Sequence, residues 1–253
     1  MIETKELYKS FGGKIAVNHL DFKVDNGEIY GLLGPNGSGK STTMKILTGI
    51  LQPTGGQASV NGINVAKQPN KVKEMVGYIP ESPNLYESLT PNDLFNMIGG
   101  IRNILDSKLN KRVNYFVDAL ALEEYMHQFI GSLSFGNKQK VSITTALLHN
   151  PSVLIMDEAM NGLDPKIARI LREILFEFKE DGKSIIFSTH VLPLAEIVCD
   201  RMGVIDKGKI IAEGTVEELK EKSHEGNLED VFLELTKSKN EVSNVVSALK
   251  ETE

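Results

Sequence analysis

The stretch Glu28-Ile29-Tyr30-Gly31-Leu32-Leu33-Gly34-Pro35-Asn36-Gly37-Ser38-Gly39-Lys40-Ser41-Thr42 decides the reading of the whole chain. Residues 28–33 form a short strand-like run that leads straight into a turn built on Gly34, Gly37 and Gly39. Behind the turn, Met44, Leu47, Ile50 and Leu51 recur at helical spacing, which predicts a helix over 41–51. Residues 34–41 match the pattern G-x-x-x-x-G-K-[ST]. Glycines let the backbone curl until successive N–H groups point inward, and a helix starting there adds the positive end of its dipole. Such a cradle suits phosphate oxygens. Lys40 is placed to reach the β- and γ-phosphates of a nucleotide, and the Ser41 hydroxyl to ligate Mg²⁺. An innocent glycine turn is the alternative, but it would not need a strand before it and a helix after it.

Outward from this loop, residues 2–32 read as short strands that turn at Phe11-Gly12-Gly13, and Pro53-Thr54-Gly55-Gly56 stops the helix before another strand near 58–60. From about 83 to 150 the character changes. Helical patterns dominate, Pro91-Asn92-Asp93 resembles a helix start, and no strand is expected, so an inserted helical subdomain is predicted. The βαβ rhythm then resumes. Val153-Leu154-Ile155-Met156 is a continuous apolar run suited to a strand buried on both faces. Ile167, Ile170, Leu171, Ile174, Leu175 and Phe178 form a helical stripe, Asp181-Gly182 turns the chain, and 184–188 is the next strand. The sum is an α/β fold with a mostly parallel sheet. Two amphipathic tail helices are expected, one carrying Leu228, Val231, Phe232 and Leu235, the other Val242, Val245, Val246 and Leu249.

Bulk properties narrow the function. The chain has 253 residues, 41% hydrophobic and 25% charged, with a net charge of −6. That balance argues against a general nucleic-acid binder, which usually carries a basic excess. The single cysteine, Cys199, excludes an internal disulfide and reads as a small buried hydrophobe in a reducing compartment. No signal peptide is expected, and no run approaches the roughly 18 apolar residues of a membrane span. Any membrane role would therefore come through a partner.

Other groups fall where the chemistry of the phosphate loop needs them. Asp157 and Glu158 follow the apolar run 153–156, at the carboxyl end of a strand, where ligand sites of such sheets lie. Alternation along a strand would point them to opposite faces and divide their work. Asp157 would hold Mg²⁺ and Glu158 would polarise the water that attacks the γ-phosphate. Ser188-Thr189-His190 ends the next strand at the same edge, where His190 can hydrogen-bond the γ-phosphate; a structural histidine is the plainer alternative. Leu133-Ser134-Phe135-Gly136-Asn137 is a second small-residue loop at a helix start, with 138–149 helical behind it. It is a second potential phosphate site, or simply a serine cap. A head-to-tail dimer would let each chain's loop close the other chain's site.

In this order the pieces resemble the nucleotide-binding subunit of an ATP-binding-cassette (ABC) transporter, over about residues 2–220. Residues 34–41 look like the Walker A motif and 153–158 like Walker B with its catalytic glutamate. Residues 133–137 sit where the signature LSGGQ belongs, Asn161-Gly162-Leu163-Asp164 is similar to the D-loop, and His190 to the switch histidine. Phe11 falls where the family stacks an aromatic on adenine. Residues 78–90 look most like cassettes of ABC-2-type and Ecs-like exporters. The resemblance implies a P-loop NTPase core with an N-terminal antiparallel β subdomain and an inserted α-helical subdomain. The cassette would span 1–220, with 2–82 and 151–215 as catalytic core and β subdomain, 83–150 as helical subdomain, and 221–253 as a helical tail.

It implies an ATPase that dimerises around two Mg·ATP and drives a separate transmembrane permease from the cytoplasmic face of the membrane, without nucleic acid. Gly34, Asn36, Gly37, Ser38, Gly39, Lys40, Ser41 and Thr42 would hold nucleotide, while Ser41, Asp157 and Glu81 would serve the metal. Ser134, Gly136, Asn137 and Asp164 would act in trans, from a second nucleotide-binding subunit that is either another copy or a related chain. Three departures stand out: the signature reads LSFGN, Glu81 replaces the Q-loop glutamine, and Ala159-Met160 replaces Pro-Thr or Pro-Ser. Rival readings are a DNA-repair or translation relative, a GTPase switch and an ATP-binding module without useful hydrolysis. The first lacks a long coiled coil, twin cassettes or basic surface. The second lacks N-K-x-D, since Asn70-Lys71-Val72-Lys73 has no acid.

Overall fold

The structure is a computed structural model that describes residues 1–160, 162–223 and 228–236. In chain order its strands are β1 (Ile2–Phe11), β2 (Lys14–Val24), β3 (Ile29–Leu33), β4 (Gly55–Val60), β5 (Ile63–Asn64), β6 (Val76–Ile79), β7 (Val153–Asp157), β8 (Ser184–Thr189), β9 (Arg201–Asp206) and β10 (Lys209–Gly214). Its helices are α1 (Lys40–Leu47), α2 (Pro69–Met75), α3 (Pro91–Ile101), α4 (Asp106–Leu120), α5 (Phe135–Leu147), α6 (Pro165–Glu180), α7 (Leu192–Val198), α8 (Val216–Ser223) and α9 (Leu228–Leu235). The fold is α/β, with one antiparallel sheet and one mostly parallel sheet.

The larger sheet runs β10-β9-β3-β8-β7-β6. All its pairs are parallel except β9 with the edge strand β10. Because the parallel strands are covered on both faces, they need apolar residues at successive positions rather than at every second one. Alternation then sorts those residues by side. Leu154, Met156, Ile185 and Phe187 join the core that includes α3, α4, α5 and α6. Tyr30, Leu32, Ile155 and Ile186 join the core that includes α1 and the second, antiparallel sheet, β2-β1-β4-β5. Between residues 83 and 150 the described elements are α3, α4, α5 and two single 3₁₀ turns, with no strand.

The helix predicted over 41–51 stops at Leu47. Gly49 takes a left-handed φ of 71° and donates its N–H to Ile46 O, while Ile50 donates to Lys45 O. This Schellman arrangement ends the helix and turns Ile50 outward, where it is 55% exposed. Strands β6 and β9–β10 were not expected from the pattern. Of the two tail helices, α9 packs Leu228 and Val231 against α7 and Leu33. The second, with Val242, Val245, Val246 and Leu249, lies outside the described residues. Cys199 packs beside Gly31, whose added Cβ would meet its Sγ, and burial pushes its thiol well above the ordinary range.

Candidate nucleotide site

Strand β3 delivers the chain to the glycine loop at the carboxyl edge of the parallel sheet. Gly39, at the N-cap of α1, has φ 112°, and a Cβ there would lie 2.4 Å from the Ala16 carbonyl. Only glycine satisfies both demands. The loop is pinned from behind, because Gly208 N donates to Ser38 O at 2.8 Å. Lys40 is buried, and its Nζ donates to Gly34 O at 2.7 Å and Pro35 O at 3.1 Å. Burial lowers its pKa, and Glu158, Asp157 and Glu81 oppose that shift. A cation thus sits at the loop's centre, held by carbonyls that it can exchange for phosphate oxygens.

The two acids approach the same helix start. Asp157 Oδ1 accepts hydrogen bonds from Ser41 Oγ at 3.1 Å and Ser188 Oγ at 2.7 Å. Glu158 Oε1 lies 3.9 Å from Lys40 Nζ. The expectation that strand alternation separates them is corrected. β7 ends at Asp157, and Glu158 adopts φ 53°, so the side chain swings back toward the glycine loop. Its amide donates to both the carbonyl and the hydroxyl of Ser188, each at 3.1 Å. His190 Nδ1 is 2.5 Å from Glu158 Oε2.

A cavity of about 470 Å³ opens over the loop, lined by Phe11, Lys14, Ile15, Ala16, Asn36, Gly37, Gly39, Lys40, Ser41, Thr42, Glu81 and Glu158. That volume suits a small-molecule ligand. Phe11 is 47% exposed at its rim, with Lys9 Nζ 4.8 Å from the ring centroid. The oxygen donors Ser41, Asp157 and Glu81 fit Mg²⁺, a hard cation that takes one or two carboxylates and completes its shell with water and substrate phosphate. Among the described residues there is no cluster of three or more His, Cys, Asp or Glu that could hold a metal ion.

The remaining candidates lie apart from this cavity. Ser134 caps α5, accepting from Asn137 N at 3.3 Å, and Asp164 caps α6, accepting from Ile167 N at 3.0 Å. Gly136 faces the Gly162 carbonyl. Sequence reasoning gave no role to Ser188, the donor that orients Asp157; its signal was a hydroxyl beside Thr189 at the end of an apolar strand. It also passed over Lys14, Ile15 and Ala16, which only the long β1–β2 hairpin brings to the loop.

Fold and geometry define a P-loop nucleotide-binding domain. Residues 17–161 match the family described as ABC transporter. An ABC transporter ATP-binding protein of Methanocaldococcus jannaschii is 38% identical over 218 residues, covering 86% of this chain and 79% of that protein. The ABC-type transporter ATP-binding protein EcsA of Bacillus subtilis is 34% identical, covering 94% of this chain and 97% of its own length. A solved ATP-binding subunit of an ABC transporter superposes with TM-score 0.88 at 34% identity, over 93% of this chain and 99% of that one. The chain belongs to the ABC transporter family, as an ATP-binding cassette with ATPase activity.

Proposed function

We propose that this chain pairs head to tail with a second cassette around two Mg·ATP and drives a separate transmembrane permease, in the direction of export. Phe11 stacks on the base. The amides of the glycine loop, with Asn36, Gly37, Ser38, Gly39 and Thr42, hold phosphates, and Lys40 spans the β- and γ-positions. Ser41, Asp157 and Glu81 would hold Mg²⁺, which when bound neutralises phosphate charge. Glu158 takes the proton of the attacking water, and His190 donates to the γ-phosphate. Ser134, Gly136, Asn137 and Asp164 complete the site of the partner cassette.

The observation that carries this reading is the convergence of Lys40, Glu158 and His190 beside one glycine-loop cavity. The head-to-tail pairing is supported by the absence of α5's N-terminus from that cavity's lining: one chain has two phosphate-suited helix starts that do not meet. Export is supported by the likeness of residues 78–90 to exporter cassettes. Attachment to the membrane from its cytoplasmic face would run through the permease, since no described helix is long and apolar enough to cross a bilayer.

Docking of the permease is supported by a second cavity, of about 540 Å³, between the parallel sheet's β6 edge and the helices α3 and α5. Its floor includes Val76, Leu85, Ile98 and Ala146, and its lining includes the cations Lys45, Lys73 and Arg102. An amphipathic permease segment carrying a carboxylate suits that combination. The central test is a Glu158→Gln variant, which should bind ATP and turn it over at least 100-fold more slowly. Hydrolysis near the wild-type rate would remove Glu158 from the role of base.

A further inference from the structure

The aromatic residue in the signature loop sits in a contact that the trans role of that loop does not use. Phe135 is the first residue of α5 and is 49% exposed, yet one edge of its ring lies against Gly162. A Cβ on Gly162 would come within 2.9 Å of Phe135 Cδ1 and Cε1, and Gly162 has φ 75°. One turn further along α5, Gln139 is fully buried and donates its Nε2 to Ala159 O at 2.9 Å. Residues four apart on a helix share a face. A single face of α5 therefore grips two residues, Ala159 and Gly162, that follow Glu158 in the chain.

Glu158 needs such a grip. A left-handed φ of 53° is unfavourable for a residue that is neither glycine nor Asn or Asp, and it persists only where the surroundings over-determine it. On the upstream side the restraint is Ser188, through the two bonds to the Glu158 amide. On the downstream side it is α5. We infer that Phe135 is a positioning residue for ATP hydrolysis: together with Gln139 it clamps the residues after Glu158 and so fixes the carboxylate's approach to the γ-phosphate. The inference rests on Glu158 being the base. Phe135 does not line the glycine-loop cavity of its own chain, so binding of nucleotide to that loop should not depend on it.

The test compares purified Phe135→Ala, Phe135→Leu and Phe135→Tyr proteins with wild type and with Glu158→Gln. A displacement of the base by a fraction of an ångström should lower kcat of Phe135→Ala about tenfold while KM for ATP stays within about twofold. Phe135→Tyr, which keeps the ring, should restore kcat, and Phe135→Leu should fall between the two. ATP-dependent dimerisation of Glu158→Gln, read by size-exclusion chromatography, should survive the added Phe135→Ala change. Wild-type kcat in Phe135→Ala beside an inactive Glu158→Gln overturns this inference and leaves the proposed function standing. An active Glu158→Gln removes the reading beneath it. Loss of dimerisation, a matching loss of ATP affinity, or failure of tyrosine to rescue assigns Phe135 to the interface or to general packing and overturns the positioning role. Should Phe135→Ala not fold, the leucine and tyrosine variants decide on the same criteria.

Discussion

His190 Nδ1 and Glu158 Oε2 lie 2.5 Å apart, so the residues that directly follow two neighbouring parallel strands, β7 and β8, meet across 32 residues of sequence. The glutamate is buried, whereas the histidine side chain is 59% exposed on the open side of the pair. In the proposed site His190 would hold the carboxylate from its solvent-facing side. Replacing it by alanine should lower kcat by about 100-fold with a small change in KM, as expected for a donor used mainly in the transition state. Equal loss in ATP affinity, measured by titration with a fluorescent nucleotide, would show that the histidine serves ground-state binding instead.

Ser188 is the hinge between the two acids. Its hydroxyl donates to Asp157 Oδ1 and accepts from the Glu158 amide. Ser188→Ala leaves one carboxylate less well oriented and one amide with its carbonyl bond alone. The Mg²⁺ concentration for half-maximal ATPase should rise by about tenfold, the scale seen when a partner of a metal ligand is removed. An unchanged magnesium titration would separate Ser188 from the metal-binding role proposed for Asp157.

His149 makes a pH prediction with a definite sign. Burial, reinforced by Arg102 and opposed by the Val76 carbonyl that its Nε2 meets at 3.2 Å, lowers its pKa to about 4. The imidazole of the unfolded chain takes its proton near 6.5. Between those values the unfolded state binds more protons, so stability is complete above 6.5 and is lost as pH falls toward 4. The loss assigned to this residue is no more than about 3 kcal/mol. Urea unfolding at several pH values should show that slope, and His149→Phe should flatten it.

The cavity beside β6 predicts a phenotype seen only with the permease present. Lys45→Glu with Lys73→Glu places two acids where a carboxylate-bearing segment would dock. Copurification of the permease from detergent-solubilised membranes should fall by about tenfold or more, since like charges across an interface are strongly disfavoured. Full retention of the permease would move the docking surface elsewhere.

How much of this was legible in the sequence depended on whether the signal was local. The glycine loop, the apolar runs ending at Asp157 and Thr189, and the stripe on α6 are patterns within a dozen residues, and they led to the right elements. The end of α1 was misplaced because Leu51 continues the helical stripe, while the left-handed Gly49 two residues earlier had already stopped it. The acids were assigned to opposite faces because alternation was extended one residue too far. A single left-handed φ at Glu158 has no signature in residue type. The short β6, Val76-Gly77-Tyr78-Ile79, offers no alternation and was visible only through its pairing with β7. The clamp of Gln139 on Ala159 joins residues whose proximity is set by the packing of α5 as a whole.

The central strands are apolar on both sides, and this leaves their alignment unguarded by the core. In register, Leu33 stands opposite Thr189 and Asp157 opposite Ser188, which levels the glycine loop, the acid pair and the histidine at one rim. Sliding β7 by one residue would exchange Ile155 and Met156 between the two cores, so it would be opposed by repacking and not by exposure of apolar surface. The same slide would lift Asp157 about 3.3 Å past its serine. Deletions within these strands should therefore silence the site even where enough of the packing survives for the chain to fold, because the rim depends on alignment that apolar character alone does not set.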